Sequence, residues 1–106
     1  MASDKEYIDF VCTQLEGAGN VRARKMFGDW CIYIDEMPVI LVCDEICYVK
    51  KLPELEPLMS GAECGFPYPG AKEHYILDVE HRGEMLPVVH LLVETLPLYQ
   101  KKKSRK

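Results

Sequence analysis

Five cysteines and three histidines are the residues of this chain best suited to chemistry, and their spacing sets what that chemistry could be. Cys43-x3-Cys47 straddles a predicted hairpin turn. With a three-residue loop there, the two thiols would face each other across the ladder, close enough for a metal or a cross-strand disulfide. A zinc site needs four ligands, usually a second Cys or His pair, and His74, His81 and His90 supply no such pair by spacing. Nucleophilic use of a thiol needs a cationic, part-exposed setting and a positioned base. Cys12, Cys31, Cys43 and Cys47 fall in apolar segments that resist ionisation, and Cys64 sits in a predicted loop beside Glu63 and Gly65. The carboxylate pairs Asp35/Glu36 and Asp44/Glu45 fall at predicted turns and read as solvated turn residues. There is no G-x-S-x-G, no H-E-x-x-H and no glycine-rich phosphate loop. The expectation is a non-enzymatic protein with no cofactor. A metal or redox module at Cys43/Cys47 stands as the least favoured alternative.

The elements that must position these groups follow from periodicity. Ser3-x-x-Glu6 is a capping-box pattern, and Ile8, Val11, Cys12 and Leu15 form one apolar stripe, which predicts a helix over about 4–16 ended by Gly17 and Gly19. From Val21 to Lys50 the period changes to two. Val21–Phe27, Trp30–Ile34, Val39–Cys43 and Cys47–Val49 read as strands, and connections this short permit only antiparallel neighbours. Pro53 to Met59 reads as a short helix opened by proline. Tyr68-Pro69-Gly70-Ala71 carries the type II turn signature between segments 66–68 and 73–79, with His74–Asp78 the better strand of a final ladder. Val89, Leu92, Val93 and Leu96 then recur at helical spacing, with Pro87 near the predicted start and Pro97 near the stop. Val88 and Leu91 make this helix apolar on more than one side, so it is expected to be either deeply buried or shared with another molecule, a homodimer being the candidate. The order α-β(4)-α-β(2)-α predicts a two-layer α+β fold, a mostly antiparallel sheet with helices on one face.

Charge narrows the class of partner. The formal net charge is −4, but Lys101, Lys102, Lys103, Arg105 and Lys106 lie in the last six residues. Taking those five from the 13 Lys+Arg leaves 8 against 17 Asp+Glu, so residues 1–100 carry about −9. Such a body repels phosphate backbones, and only the end, read as a solvated, disordered tail over 101–106, could attract them. No apolar run approaches the roughly 20 residues that cross a bilayer, and no export signal is visible. The expected place is the cytoplasm, where free thiols persist and pack as small apolar groups.

Arg24-Lys25-Met26-Phe27-Gly28, followed by Trp30-Cys31-Ile32-Tyr33-Ile34-Asp35, resembles the RxMFGGYGxYxDG signature of the TfoX/Sxy competence regulators' N-terminal domain. The likeness continues through Val39–Cys43, through Cys47-Tyr48-Val49-Lys50, and through Phe66-Pro67-Tyr68 and the strand around Tyr75. Asp29, Trp30 and Cys31 stand where the signature has Gly, Tyr and Gly. The resemblance implies a fold similar to secretion chaperones, often paired as dimers. It also implies a regulatory or adaptor activity by protein contact, here in a stand-alone N-terminal module over 1–100. Trp30, at a strand start, is expected to be part-exposed and able to anchor a partner. Arg22 and Arg24 are expected on one face of their strand with Lys25 on the other, Arg24 pairing with a carboxylate. An accessory nucleic-acid role for the basic end is the runner-up reading.

Overall fold

The computed structural model describes residues 5–26 and 29–104; for Met26 and for 99–104 only the backbone is described. An open, six-stranded antiparallel sheet carries three α-helices, the two-layer α+β architecture expected. In chain order the elements are α1 (Lys5–Gln14), β1 (Val21–Met26), β2 (Asp29–Ile34), β3 (Met37–Cys43), β4 (Ile46–Lys50), a 3-10 turn (Pro53–Leu55), α2 (Glu56–Met59), β5 (Cys64–Gly65), β6 (His74–Ile76) and α3 (Arg82–Ser104). The strands lie in the order β1-β2-β3-β4-β6-β5, so β6 inserts between the meander and β5.

The stripe predicted for α1 is the one that packs: Ile8, Val11 and Leu15 are fully buried. The capping serine, Ser3, lies outside the described residues. Past Gln14 the chain leaves the helix through Gly17 at φ +94°, a conformation that costs an L-residue with a Cβ but not glycine.

The meander turns more tightly than expected. Asp35-Glu36 and Asp44-Glu45 are the central pairs of two-residue turns, and all four residues have positive φ, between +52° and +68°, as in type I′ hairpins. Both turns therefore close without glycine. Strand β3 begins at Met37 rather than Val39 and takes in Pro38, opposite Tyr33. Proline is tolerated in this interior strand because the register shifts beside it. Ile32 faces Ile40 while Tyr33 faces Pro38, so Val39 is the extra residue of a bulge. The bulge is why consecutive Val39 and Ile40 are both buried.

Residues 66–68, read as a strand, lie outside the ladder, and the short β5 at 64–65 takes their place. Cys64 is thus in a strand and not in a loop. The turn after it has the geometry expected: Ala71 N–H donates to the Tyr68 carbonyl at 3.0 Å, with Gly70 at φ +87°.

Helix α3 differs most from expectation. It starts five residues before Pro87, where the His81 carbonyl accepts from the N–H groups of Glu84 and Met85, both at 3.0 Å. It then passes through Pro97 and runs on to Ser104, so 101–104 are helical where a disordered tail was expected. Both prolines lie on the exposed side of the helix, where water can satisfy the carbonyls that lose an N–H partner. The buried side carries Met85, Val88, Val89, Leu92 and Leu96, and packs across β3 and the 3-10 turn.

Candidate interaction surface

Strand alternation divides the sheet into two unlike faces. On one, Ile32, Ile34, Ile40, Val42, Cys47, Val49 and Tyr75 join α1 and α3 in a single core. The other has no helix over it among the described residues. There the ladder sets Arg22 beside Tyr33, Arg24 beside Cys31, Cys31 beside Leu41, Leu41 beside Tyr48, and Tyr48 beside Ile76. This open face is apolar through its middle. Cys31 is 3% exposed and Tyr48 7%, while Tyr33, Leu41, Cys43 and Ile76 are half-buried.

Two local contacts shape it. The Tyr48 ring meets His74 edge-on at 6.4 Å and lies over Gly65, where a Cβ would come within 3.1 Å of the Tyr48 ring carbon. Glycine at that point allows β5 to close against the ring. At the other end, the Arg22 guanidinium sits 5.3 Å above the Tyr33 ring and pairs with Glu36 at 2.7 Å. Both Arg22 partners are on or beside exposed turns, so the pair orients the arginine more than it stabilises the fold.

The signature residues fall on both faces. Arg24 and Tyr33 are on the open face, and Lys25 is on the other, as alternation required. Trp30 pairs with Val42 and Lys25 and is half-buried against the helix-side core, so it belongs to packing more than to the open face. Phe27 and Gly28 lie outside the described residues, as does the Met26 side chain. So do Arg105, Lys106 and the side chains of Lys101, Lys102 and Lys103. Arg22, not singled out beforehand as the paired arginine, holds the ion pair with Glu36. Strand β1 is a sheet edge, and its three cations discourage pairing with another strand.

The facing Cys43/Cys47 pair does not exist. Because the turn is two residues long, Cys43 faces Ile46 and Cys47 faces Val42, which places the two thiols on opposite sides of the sheet. Cys43 looks onto the open face, whereas Cys47 is buried in the core, 3.6 Å from the Tyr7 hydroxyl. Burial pushes the Cys47 thiol up to about 11 and raises Cys12, Cys31 and Cys43 in the same direction. None is set up as a thiolate nucleophile. Among the described residues no group of three or more His, Cys, Asp or Glu has the grouping to hold a metal ion. The histidines are dispersed: His74 contacts the Lys72 carbonyl at 2.7 Å, His81 contacts Asp78 at 2.6 Å, and His90 is exposed on α3.

Sequence reasoning missed one residue that ties the helical layer together. Arg82, at the start of α3, donates from Nε to the Gln14 carbonyl at 2.9 Å and from Nη2 to the Glu16 carbonyl. It closes the end of α1, where carbonyls lack helical partners, and Gln14 returns a bond to the Val79 carbonyl at 2.8 Å. A link across more than 60 residues leaves no local signal.

The family model described as the TfoX N-terminal domain matches residues 13–84, from the last turn of α1 to the first turn of α3. A relative from Spirochaeta aurantia, named an uncharacterized 12.7 kDa protein in the trpE 5′ region, is 31% identical over 107 residues. That alignment covers 99% of this chain and 93% of the relative.

Proposed function

This chain belongs to the TfoX N-terminal domain family, and on that footing we propose a non-enzymatic regulatory or adaptor role, exercised by protein contact in the cytoplasm. The observation that carries the reading is the open sheet face. A layer of Cys31, Leu41, Tyr48 and Ile76, edged by Arg24 and the Arg22–Tyr33 pair, is left without a covering element among the described residues. An apolar centre with a charged margin is the composition of a protein-docking surface. The titratable groups on this face are spread along the ladder rather than gathered at one point.

No described helix is long and apolar enough to cross a membrane. The acidic body, about −9 over 1–100, favours protein over nucleic acid as the partner.

The test is capture from the native cell with the wild-type chain and with Leu41→Glu, which places a charge at the centre of the face. The expected result is a defined set of proteins held by the wild type and lost by the variant, with the fold of both checked by circular dichroism. Equal capture by the two chains excludes this face as the contact.

A further inference from the structure

The sheet is opposite in sign to the body that carries it. Within its six strands the carboxylate is Asp29 alone, against the cations Arg22, Arg24, Lys25 and Lys50. Ladder parity puts Arg22, Arg24 and Lys50 on the open face and Lys25 on the other. Glu36, from a turn, holds Arg22. Arg24 and Lys50 are exposed and have no ion-pair partner among the described residues, in a chain with 17 Asp+Glu.

These two cations bracket the apolar centre. One row of the ladder runs Arg24, Cys31, Leu41, Tyr48, Ile76, charged at its first position and apolar or aromatic at the rest. Lys50 stands two residues beyond Tyr48 on the same face, opposite His74. β1 and β4 are three strand spacings apart, so Arg24 and Lys50 are separated by roughly 14 Å across the sheet. The signs also divide along the strands. Arg22 and Lys50 lie at one end of the ladder, whereas Asp29 and Ile46, which borders an acidic recess with Glu45 and Glu84, lie at the other.

Resting on the reading of this face as the contact surface, we propose that its partner is an acidic, amphipathic protein segment. Apolar side chains of that segment seat on Leu41 and Ile76, and its carboxylates pair with Arg24 and Lys50. Charge complementarity selects this occupant, since an apolar centre needs an apolar counterpart and two unpaired cations need anions. Nucleic acid supplies the anions but meets no stacking platform. Tyr48 is 7% exposed and Arg22 covers Tyr33, so neither ring is free to take a base. Charges at an exposed margin are screened, so the contact weakens with salt.

The test reads the partner's chemistry directly. Proteins held by the full-length wild type after nuclease treatment are coupled with a water-soluble carbodiimide, which joins an amine to a carboxylate, and the linked peptides are mapped by mass spectrometry. The expected product joins Lys50 to an Asp or Glu of the partner, in a segment that also carries apolar residues. Arg24→Glu with Lys50→Glu should lower capture roughly tenfold or more. Lys5→Glu with Lys25→Glu makes the same change in net charge away from the open face, and should leave capture within about twofold. All four positions are exposed, and circular dichroism checks each fold. Capture that Leu41→Glu abolishes but Arg24→Glu with Lys50→Glu does not, with no coupling at Lys50, overturns the acidic partner and keeps the face as the contact. Capture indifferent to Leu41→Glu as well removes the contact surface itself. An equal fall in both charge-reversed chains, or capture abolished by nuclease, also overturns the proposal, the first as a net-charge effect and the second in favour of phosphate.

Discussion

Cys43 and Cys47 occupy opposite faces of the sheet, one turned to the open surface and the other to the core. Four residues apart, they would meet if the turn between them had three residues. The left-handed pair Asp44-Glu45 closes the turn with two and carries Cys47 round to the far side.

Their chemistry should therefore diverge. Under native conditions at about pH 8, iodoacetamide should label Cys43 well before Cys47, whose thiol is pushed up to about 11 by burial. Mild oxidation should yield no Cys43–Cys47 disulfide in peptide maps. Recovery of that cross-link from folded protein contradicts the register.

Ile40 and Leu41 are adjacent but face opposite ways, which separates folding from docking. Ile40→Ala should cost about 2–5 kcal/mol, the range for truncating a buried aliphatic residue. Leu41→Glu, half-exposed on the open face, should cost roughly 1 kcal/mol or less. Urea unfolding of the two variants measures the difference, and a larger loss for Leu41→Glu would reverse the assignment of faces.

Arg82→Ala removes a guanidinium that serves two carbonyls at the end of α1. Charged hydrogen bonds are worth about 1.5–3 kcal/mol, and exposure of the arginine lowers the expected loss to roughly 1 kcal/mol. The urea midpoint should fall with the slope unchanged. Arg82→Lys, which has no planar fork, should recover only part of it.

Backbone strain at the first hairpin is the easiest stability to gain. Glu36 holds φ +68°, which glycine adopts without penalty. Relief of roughly 1–2 kcal/mol of left-handed strain by Glu36→Gly is offset in part by the greater unfolded-state freedom of glycine and by loss of the exposed Arg22 pair, so a net gain of about 0.5 kcal/mol or less is expected. The opposite sign is expected for Gly19→Ala. At φ +141°, a Cβ there meets an Asp35 carboxylate oxygen and the Ile34 side chain at 2.9 Å. Thermal unfolding of both variants checks the pair of signs.

His81 beside Asp78 has its titration raised by that carboxylate. A group raised on folding adds stability that is complete below its unfolded value of about 6.5 and fades as pH rises through the folded value. Stability should thus decline on passing upward from about pH 6.5, and His81→Gln should remove that part of the slope. A pH series of urea midpoints measures it. An unchanged slope in the variant excludes the pair as its source.

Much of the fold was legible in the chain because burial imposes a period. The stripe of Ile8, Val11 and Leu15, the alternation from Val21 to Val49 and the Pro69-Gly70 turn each depend on residues near in sequence, and each has its counterpart in the structure. The signature residues were legible as a block too, but not their division between faces, with Trp30 on the core side and Tyr33 on the open one. What the amino-acid order determined by itself, then, was the element types, their antiparallel succession and the family. Tertiary structure alone decided the facing of Cys43 and Cys47, the insertion of β6 beside β4, the reach of α3 past Pro97, and the bond from Arg82 to α1. Those depend on turn length to a single residue and on partners dozens of positions apart. Local propensity is silent there, and only packing of the whole chain selects the outcome.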